Sequence, residues 1–188
     1  MWNEQIIMML LEGIKDTLYM TLTSTLIGYV IGLPMGILLT VTDKDGIHPN
    51  AAVYKVLDVI ANLIRSVPFL ILLIVLIPFT RFLIGRSYGP TATIVPLVIA
   101  AAPYIARMVE SSLKEVDAGV IEAARSMGAS NFTIVTKVML VEARTSLIVG
   151  ATISLGTILG YSAMAGTVGG GGLGDIAIRY GYTLSLIH

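Results

Sequence analysis

Few side chains in this sequence could bind a metal or act as a nucleophile. The chain has no cysteine and two histidines, His48 and His188, which lie far apart in sequence. No pair of histidines, or of histidine and glutamate, has the close spacing typical of zinc ligands. The sequence therefore predicts no metal site and no cofactor, and it excludes thiolate chemistry.

One segment formally matches a dinucleotide-binding motif, because Gly169, Gly171 and Gly174 satisfy the pattern G-x-G-x-x-G. In nucleotide-binding proteins this motif follows a β-strand and precedes an acidic residue by about 20 positions. Here an apolar segment precedes it, Asp175 is the nearby acid, and the Lys-Ser/Thr pair of a phosphate loop is missing. The pattern favours a flexible or tightly turned loop over a nucleotide site.

The polar segment around Glu122 and Arg125 is the best candidate for a functional site. These charged side chains would be costly in lipid, so the segment should lie at the membrane surface. Asp117 can cap a short helix, Glu122 and Arg125 can pair at positions i and i+3, and Gly128 permits a turn. A short helix with one apolar face suits a groove on another protein. The alternative is a surface connector with no partner.

After the turn, Asn131 is predicted to cap a second helix from Phe132 to Leu140. This helix leads into the next apolar segment of the chain. The sequence thus predicts two short helices between Lys114 and Arg144, with a turn between them.

The composition identifies a membrane protein. The chain has 188 residues, of which 55% are hydrophobic and 13% charged, and its mean hydropathy is +0.86. A soluble domain carries roughly 25% charged residues. The formal net charge is +0, so the basic excess that nucleic-acid binding requires is missing and no nucleic-acid partner is expected.

Apolar stretches between charged residues predict four membrane spans, since a span needs about 20 apolar residues. The predicted spans cover residues 17–42, 56–80, 87–107 and 143–165 of a single transmembrane domain, residues 1–188. Ahead of the first span, residues 6–14 predict an amphipathic helix at the interface. The tail from Tyr182 to His188 is too short to span, so we expect a fifth span that is missing at the C-terminus, with a genuine four-span protein as the alternative.

Basic residues favour an outside N-terminus, because the loops that would then be inside carry more of them than the outer loops. The inner set is Lys44, Lys55, Arg107, Lys114, Arg125, Lys137 and Arg144, and the outer set is Lys15, Arg81, Arg86 and Arg179. The polar segment around Glu122 is then cytoplasmic.

Two patterns inside the predicted spans concern helix packing and buried charge. Gly28, Gly32 and Gly36 are spaced by four residues, which predicts a stripe where another helix approaches closely. Asp58 and Arg65 lie two helical turns apart and could both face the protein interior. Snorkelling of Arg65 to the lipid headgroups explains that residue equally well.

The polar segment also resembles the EAA loop of bacterial ABC importer permeases. Glu122-Ala123-Ala124, then three residues, then Gly128, and later Val138-Met139-Leu140 follow that motif, except at Val138 and at Val141, where proline is expected. Four further runs are similar to the methionine-import permeases, and the resemblance covers essentially the whole chain. These runs are Arg65 to Phe69, Ile77 to Arg81, Ala102 to Glu110 and Gly160 to Gly166.

The resemblance implies an all-α polytopic bundle of the type I ABC importer permease kind, usually with five spans and an outside N-terminus. It implies a multi-pass permease homodimer in the bacterial inner membrane, cytoplasmic ATPase subunits bound to the loop at about 114–141, and an extracytoplasmic methionine-binding lipoprotein. The ATPase-coupling residues would be Glu122, Ala123, Ala124, Arg125 and Gly128. ATP hydrolysis would belong to the partner, so the chain itself is not an enzyme. The substrate-binding residues stay unknown, and the alternatives are import of another amino acid or small solute by the same architecture, or a secondary transporter.

Overall fold

The computed structural model describes residues 4–183, with side-chain exposure through residue 181. The described residues are almost entirely helical and contain no β-strand, so the predicted all-α fold is confirmed. The α-helices are α1 (Glu4–Thr42), α2 (Ala51–Ser66), α3 (Phe69–Val75), α4 (Ile77–Ile84), α5 (Pro90–Lys114), α6 (Ala118–Ser126), α7 (Asn131–Thr133), α8 (Leu140–Glu142), α9 (Arg144–Ala165) and α10 (Gly172–Ile176). A π-helix, Ile134–Met139, joins α7 to α8, a 3-10 turn covers Gly166–Val168, and a second π-helix covers Ala177–Thr183.

Three helices of the described chain are long and apolar enough to cross a membrane. They are Glu4–Thr42, Pro90–Lys114 and Arg144–Val168. The bent pair α2 and α3 makes a fourth if the pair is counted as one span. The predicted tail begins at Tyr182, inside the last described helix, and its residues 184–188 and the expected further span after it lie outside the described residues.

The first helix differs from its prediction, because the lead-in helix and the first span form one continuous α-helix of 39 residues. No helix end separates the two near Thr17, and the start of the membrane span at that residue stays a prediction. Gly13 lies inside α1, at a point where a Cβ atom would collide with the side chain of Ile176 and crowd that of Leu173. Pro34 also lies inside α1, which continues on both sides of it.

The second predicted span, residues 56–80, is broken at Pro68, where the proline itself predicts a kink. Helix α2 ends at Ser66 and α3 begins at Phe69, with Pro68 in an extended conformation at the N-cap of α3. Proline cannot donate a backbone hydrogen bond, and it disfavours helical backbone at the residue before it. A second interruption follows at Leu76, between α3 and α4.

The chain divides into two compact units. Among the described residues, unit 1 comprises residues 4–27, 67–101 and 155–183, and unit 2 comprises residues 28–66 and 102–154. In unit 1, the rings of Phe69 and Tyr161 stack with centroids 4.5 Å apart. In unit 2, Ile105, Val109 and Leu113 on α5 are buried.

The glycine-rich loop in unit 1 is tightly turned and hydrogen-bonded. The amide of Gly89 donates to Gly169 O at 3.0 Å, and Thr93 Oγ1 donates to Gly170 O at 3.3 Å. Leu173 N donates to Thr17 Oγ1 at 2.9 Å. The glycines therefore belong to a compact turn between helices. Several backbone amides and carbonyls of the loop are already hydrogen-bonded within the protein.

Candidate docking site

The short helix α6 begins at the cap that the sequence predicts. Asp117 Oδ1 accepts a hydrogen bond of 2.7 Å from the amide of Gly119, one of the donors that the first helical turn leaves unpaired. Such a cap stabilises a helix by about 1 kcal/mol. Because α6 has only 9 residues, its stability depends strongly on its ends.

Gly128 ends α6 as expected, in a left-handed conformation with φ +81°. Its amide donates to Arg125 O at 2.9 Å, and the amide of Ala129 donates to Ala124 O at 3.1 Å. This pair of hydrogen bonds forms a Schellman motif, which glycine favours because a Cβ atom is strained at positive φ. The turn therefore has a physical requirement for Gly128.

The predicted cap of the next helix is wrong by one residue. Asn131 is the first helical residue of α7, and Ser130 is the cap. Ser130 has extended backbone, and its Oγ accepts from Thr133 N at 3.2 Å, whereas Asn131 already has helical backbone. The continuous helix predicted from Phe132 to Leu140 is also interrupted by the π-helix Ile134–Met139.

The outer face of this region is apolar and exposed. Val120, Met127 and Phe132 have 41%, 81% and 77% of their surface exposed, while Ala124 is 5% exposed and faces the protein. Met127 and Phe132 lie at the turn between α6 and α7, and Val120 lies in the first turn of α6. Exposed apolar side chains of this kind offer contacts that another protein can cover.

The predicted pair of Glu122 with Arg125 does not form. Arg125 Nη2 instead donates to the backbone carbonyl of Ile47 at 3.0 Å. Glu122 and Ala123 are exposed on α6. The role of Glu122, Ala123, Ala124, Arg125 and Gly128 in ATPase coupling stays a prediction.

Lys114, the last residue of α5, joins the end of α1 to α5. Its Nζ lies 2.7 Å from Asp43 Oδ2 and 2.8 Å from Glu110 Oε1. The hydrogen bond from Lys114 lowers the pKa of the Asp43 carboxyl below its ordinary value, against the opposing effect of burial. At neutral pH Asp43 therefore stays ionised and paired.

Arg107 connects the same cluster to α2, because it pairs with Glu110 on α5 and with Asp58 on α2. Its Nη1 donates to Glu110 Oε2 at 2.7 Å, and its Nη2 contacts the Asp58 carboxylate and donates to Asn62 Oδ1 at 3.0 Å. Of the two interpretations left open for Arg65, pairing with Asp58 is not observed, since Asp58 pairs with Arg107 and Arg65 is exposed on α2. An arginine from another helix supplies the counter-charge for Asp58.

Sequence reasoning predicted no ion pair for Arg107, Glu110 or Lys114. A signal for part of the cluster was present, because the spacings i,i+3 and i,i+4 place these three side chains on one helical face with alternating charge. The pairing of these residues with Asp43 and Asp58 could not be predicted in this way, because the two aspartates lie far away in sequence.

Two of the three glycines predicted to form a packing stripe on α1 lie against α5. A Cβ atom at Gly32 would come within 2.6 Å of Ala102 O, and one at Gly36 within 2.5 Å of Ala106 O. Gly28 is buried as well. The close approach of α1 and α5 at these positions depends on the missing side chains.

The chain is similar to known transport proteins over nearly its whole length. Residues 8–185 match the family described as binding-protein-dependent transport system inner membrane component. The D-methionine transport system permease protein MetI of Escherichia coli (strain K12) is 52% identical over 164 residues, which cover 87% of this chain and 76% of the relative. The MetI permease of Salmonella typhimurium has the same identity and coverage.

Solved structures of ABC transporters also match this chain over most of its length. An inward-facing structure of the MetNI methionine ABC transporter matches with a TM-score of 0.95 and 51% identity, covering 97% of this chain and 84% of that chain. A crystal structure of an amino acid ABC transporter with histidines matches with a TM-score of 0.77 and 23% identity. The second likeness, at this identity, concerns the fold alone.

Proposed function

Because this chain belongs to the family of binding-protein-dependent transport system inner membrane components, we propose that it is the permease subunit of an ATP-driven methionine importer. Relatives about half identical to it are D-methionine transport permeases, and the structure with 51% identity is a methionine ABC transporter. The three long apolar helices fit an inner-membrane protein.

The observation that carries the proposal is helix α6 with its two defined ends and its exposed apolar surface at Val120, Met127 and Phe132. A cytoplasmic ATPase covers this surface and moves α6 when it binds and hydrolyses ATP. ATP hydrolysis belongs to that separate subunit. The permease converts the movement into alternating access of a path through the membrane.

The assembly contains two copies of this permease, two ATPase subunits and an extracytoplasmic binding protein. The N-terminus lies outside and α6 lies on the cytoplasmic side. The distribution of basic residues supports this orientation, because Lys44, Lys114, Arg125 and Lys137 then share the inner side.

The test is uptake of labelled methionine by liposomes that contain the permease, its ATPase and its binding protein. We expect uptake to require ATP and the ATPase, and unlabelled methionine to compete better than other amino acids. Uptake without the ATPase would identify a secondary transporter, and failure of methionine to compete would identify another substrate.

The docking role of α6 is tested with Gly128→Val, because valine at φ +81° strains the backbone by about 1–2 kcal/mol. We expect loss of ATPase co-purification and of uptake. The control is Ser126→Val, an exposed position on the same helix with ordinary helical backbone. Wild-type association of the ATPase with the Gly128→Val permease would argue against docking at this turn.

A further inference from the structure

The last turn of helix α6, and the residue that ends α5 just before α6, both contact the short connection between α1 and α2, residues 43–50, which we name the α1–α2 segment. Lys114, three positions before the cap of α6, forms its 2.7 Å ion pair with Asp43. Arg125, in the last turn of α6, donates its 3.0 Å hydrogen bond to Ile47 O. The segment thus contacts the chain immediately before and at the end of α6.

The α1–α2 segment is itself folded firmly onto the end of α1. The amide of His48 donates to Val41 O at 3.0 Å, and the amide of Asn50 donates to Thr42 O at 2.9 Å. At Gly46, a Cβ atom would lie 2.5 Å from Thr40 O, so the backbone approaches α1 too closely for a side chain. Displacement of the segment must therefore displace the end of α1.

The segment is also joined to the start of α2. Asn50 Oδ1 accepts a hydrogen bond of 3.2 Å from Val53 N in the first turn of that helix. Farther along α2, Asp58 and Asn62 contact Arg107 of α5. Glu110, 5% exposed, binds Arg107 and Lys114 together and fixes both cations.

A cavity lies between α6 and the α1–α2 segment, so the contacts of Lys114 with Asp43 and of Arg125 with Ile47 are important for connecting the two. A cavity of about 490 Å³ has walls from the α1–α2 segment, from the end of α5 and from α6. Its lining includes Asp43, Gly46, Ile47, Lys114, Ile121 and Arg125. Since apolar packing does not fill the space between α6 and the segment, the ion pair and the hydrogen bond carry much of the link.

We propose that the α1–α2 segment is a mechanical link that transmits movement of α6 to α1 and α2, with Asp43, Lys114 and Arg125 as positioning residues. The inference rests on the proposed function, since it assumes that an ATPase moves α6. Without this link, movement of α6 would pass only along the chain, to α5 before it and to α9 after it. The α1–α2 segment adds a second path, to α1 and α2. Breaking the link lowers the methionine transported for each ATP hydrolysed.

The experiment compares Asp43→Asn with Asp45→Asn in liposomes containing the ATPase and the binding protein. Both variants remove one negative charge from the segment, but Asp45 is 84% exposed and its ion-pair contact is Lys44 at 3.8 Å. Lys114 keeps Glu110 as a partner in Asp43→Asn, so folding should survive. Methionine uptake and ATP hydrolysis are measured on the same preparations.

We expect Asp43→Asn to lower the ratio of uptake to hydrolysis by roughly three- to tenfold, because the ion pair with Lys114 is replaced by a weaker contact to a neutral amide oxygen. ATPase co-purification should be unchanged, and Asp45→Asn should keep the wild-type ratio. Asp43→Glu, which keeps the charge, should restore much of the coupling. Because a general loss of folding lowers uptake and hydrolysis together, the ratio separates a positioning role from a structural one.

A wild-type ratio in Asp43→Asn would overturn the proposed link, as would an equal loss in Asp45→Asn. If Asp43→Asn yields too little protein, Arg125→Gln tests the other contact with the same ratio and the same expected decrease. Wild-type permease without ATP-dependent uptake would refute the proposed function instead, so the two failures are distinguishable.

Discussion

Gly36 of α1 and Val109 of α5 lie so close together that a Cβ atom at position 36 would be 2.7 Å from Val109 Cβ. The same atom would be 2.5 Å from the backbone oxygen of Ala106, which a change of rotamer cannot move. The two helices are therefore matched to a glycine at this position.

Gly36→Ala should destabilise the protein by about 1–3 kcal/mol, because the added methyl forces the helices apart. Thermal unfolding in detergent measures the effect. The control is Gly156→Ala on α9, where a Cβ atom meets nothing within 4 Å and alanine is the better helix former. Equal stability of the two variants would show that α1 and α5 can separate without cost.

Asp117→Ala should weaken α6 by about 1 kcal/mol, because the amide of Gly119 loses its acceptor. Hydrogen exchange of the α6 amides should become faster, and binding of the ATPase should weaken. Asp117→Asn retains an oxygen acceptor at the cap and should behave nearly as the wild type. Unchanged exchange in Asp117→Ala would show that contacts elsewhere hold the helix.

Asp58→Asn should lower the free energy of unfolding by about 1–2 kcal/mol. Arg107 would lose a charged partner but keep Glu110, and Asp58 is 31% exposed, so the cost stays below that of a fully buried pair. Chemical denaturation in detergent gives the value. Arg65→Gln, on the exposed side of the same helix, should change stability by no more than about 0.5 kcal/mol. A larger loss in Arg65→Gln than in Asp58→Asn would contradict the observed pairing.

The ion pair between Asp43 and Lys114 should lose its contribution to stability in acid. The pKa of Asp43 is lowered in the folded state, so the contribution is complete above the ordinary value of about 3.9 and disappears as pH falls through the lower folded value. The difference in melting temperature between wild type and Asp43→Asn should be constant from about pH 7 to pH 5 and shrink below about pH 4. A difference that grows in acid would assign the effect to another group.

Local signals predicted the candidate site well. The cap at Asp117 and the turn at Gly128 act over two to five residues, and the structure has both where the sequence predicts them. The same local reasoning failed at Asn131, because neighbouring Ser130 is an equally good cap and backbone conformation decides between them.

The proline at position 68 predicts a kink, whereas the structure has a complete break between α2 and α3. Hydropathy measures whether residues 56–80 are apolar, and it says nothing about the direction of the chain. The proline was visible, but proline also occurs inside continuous membrane helices, as Pro34 does within α1.

The membrane character, the long apolar helices and the ends of α6 can be predicted from the sequence, since they depend on composition and on contacts between near neighbours. The partners of the charged residues cannot, because they depend on how distant helices pack. Arg107 meets Asp58 across 49 positions, and Arg125 meets Ile47 across 78. Helical periodicity specifies neighbours three or four residues apart, whereas these distant pairs require whole helices to be brought together by packing such as that of Gly36 on Val109.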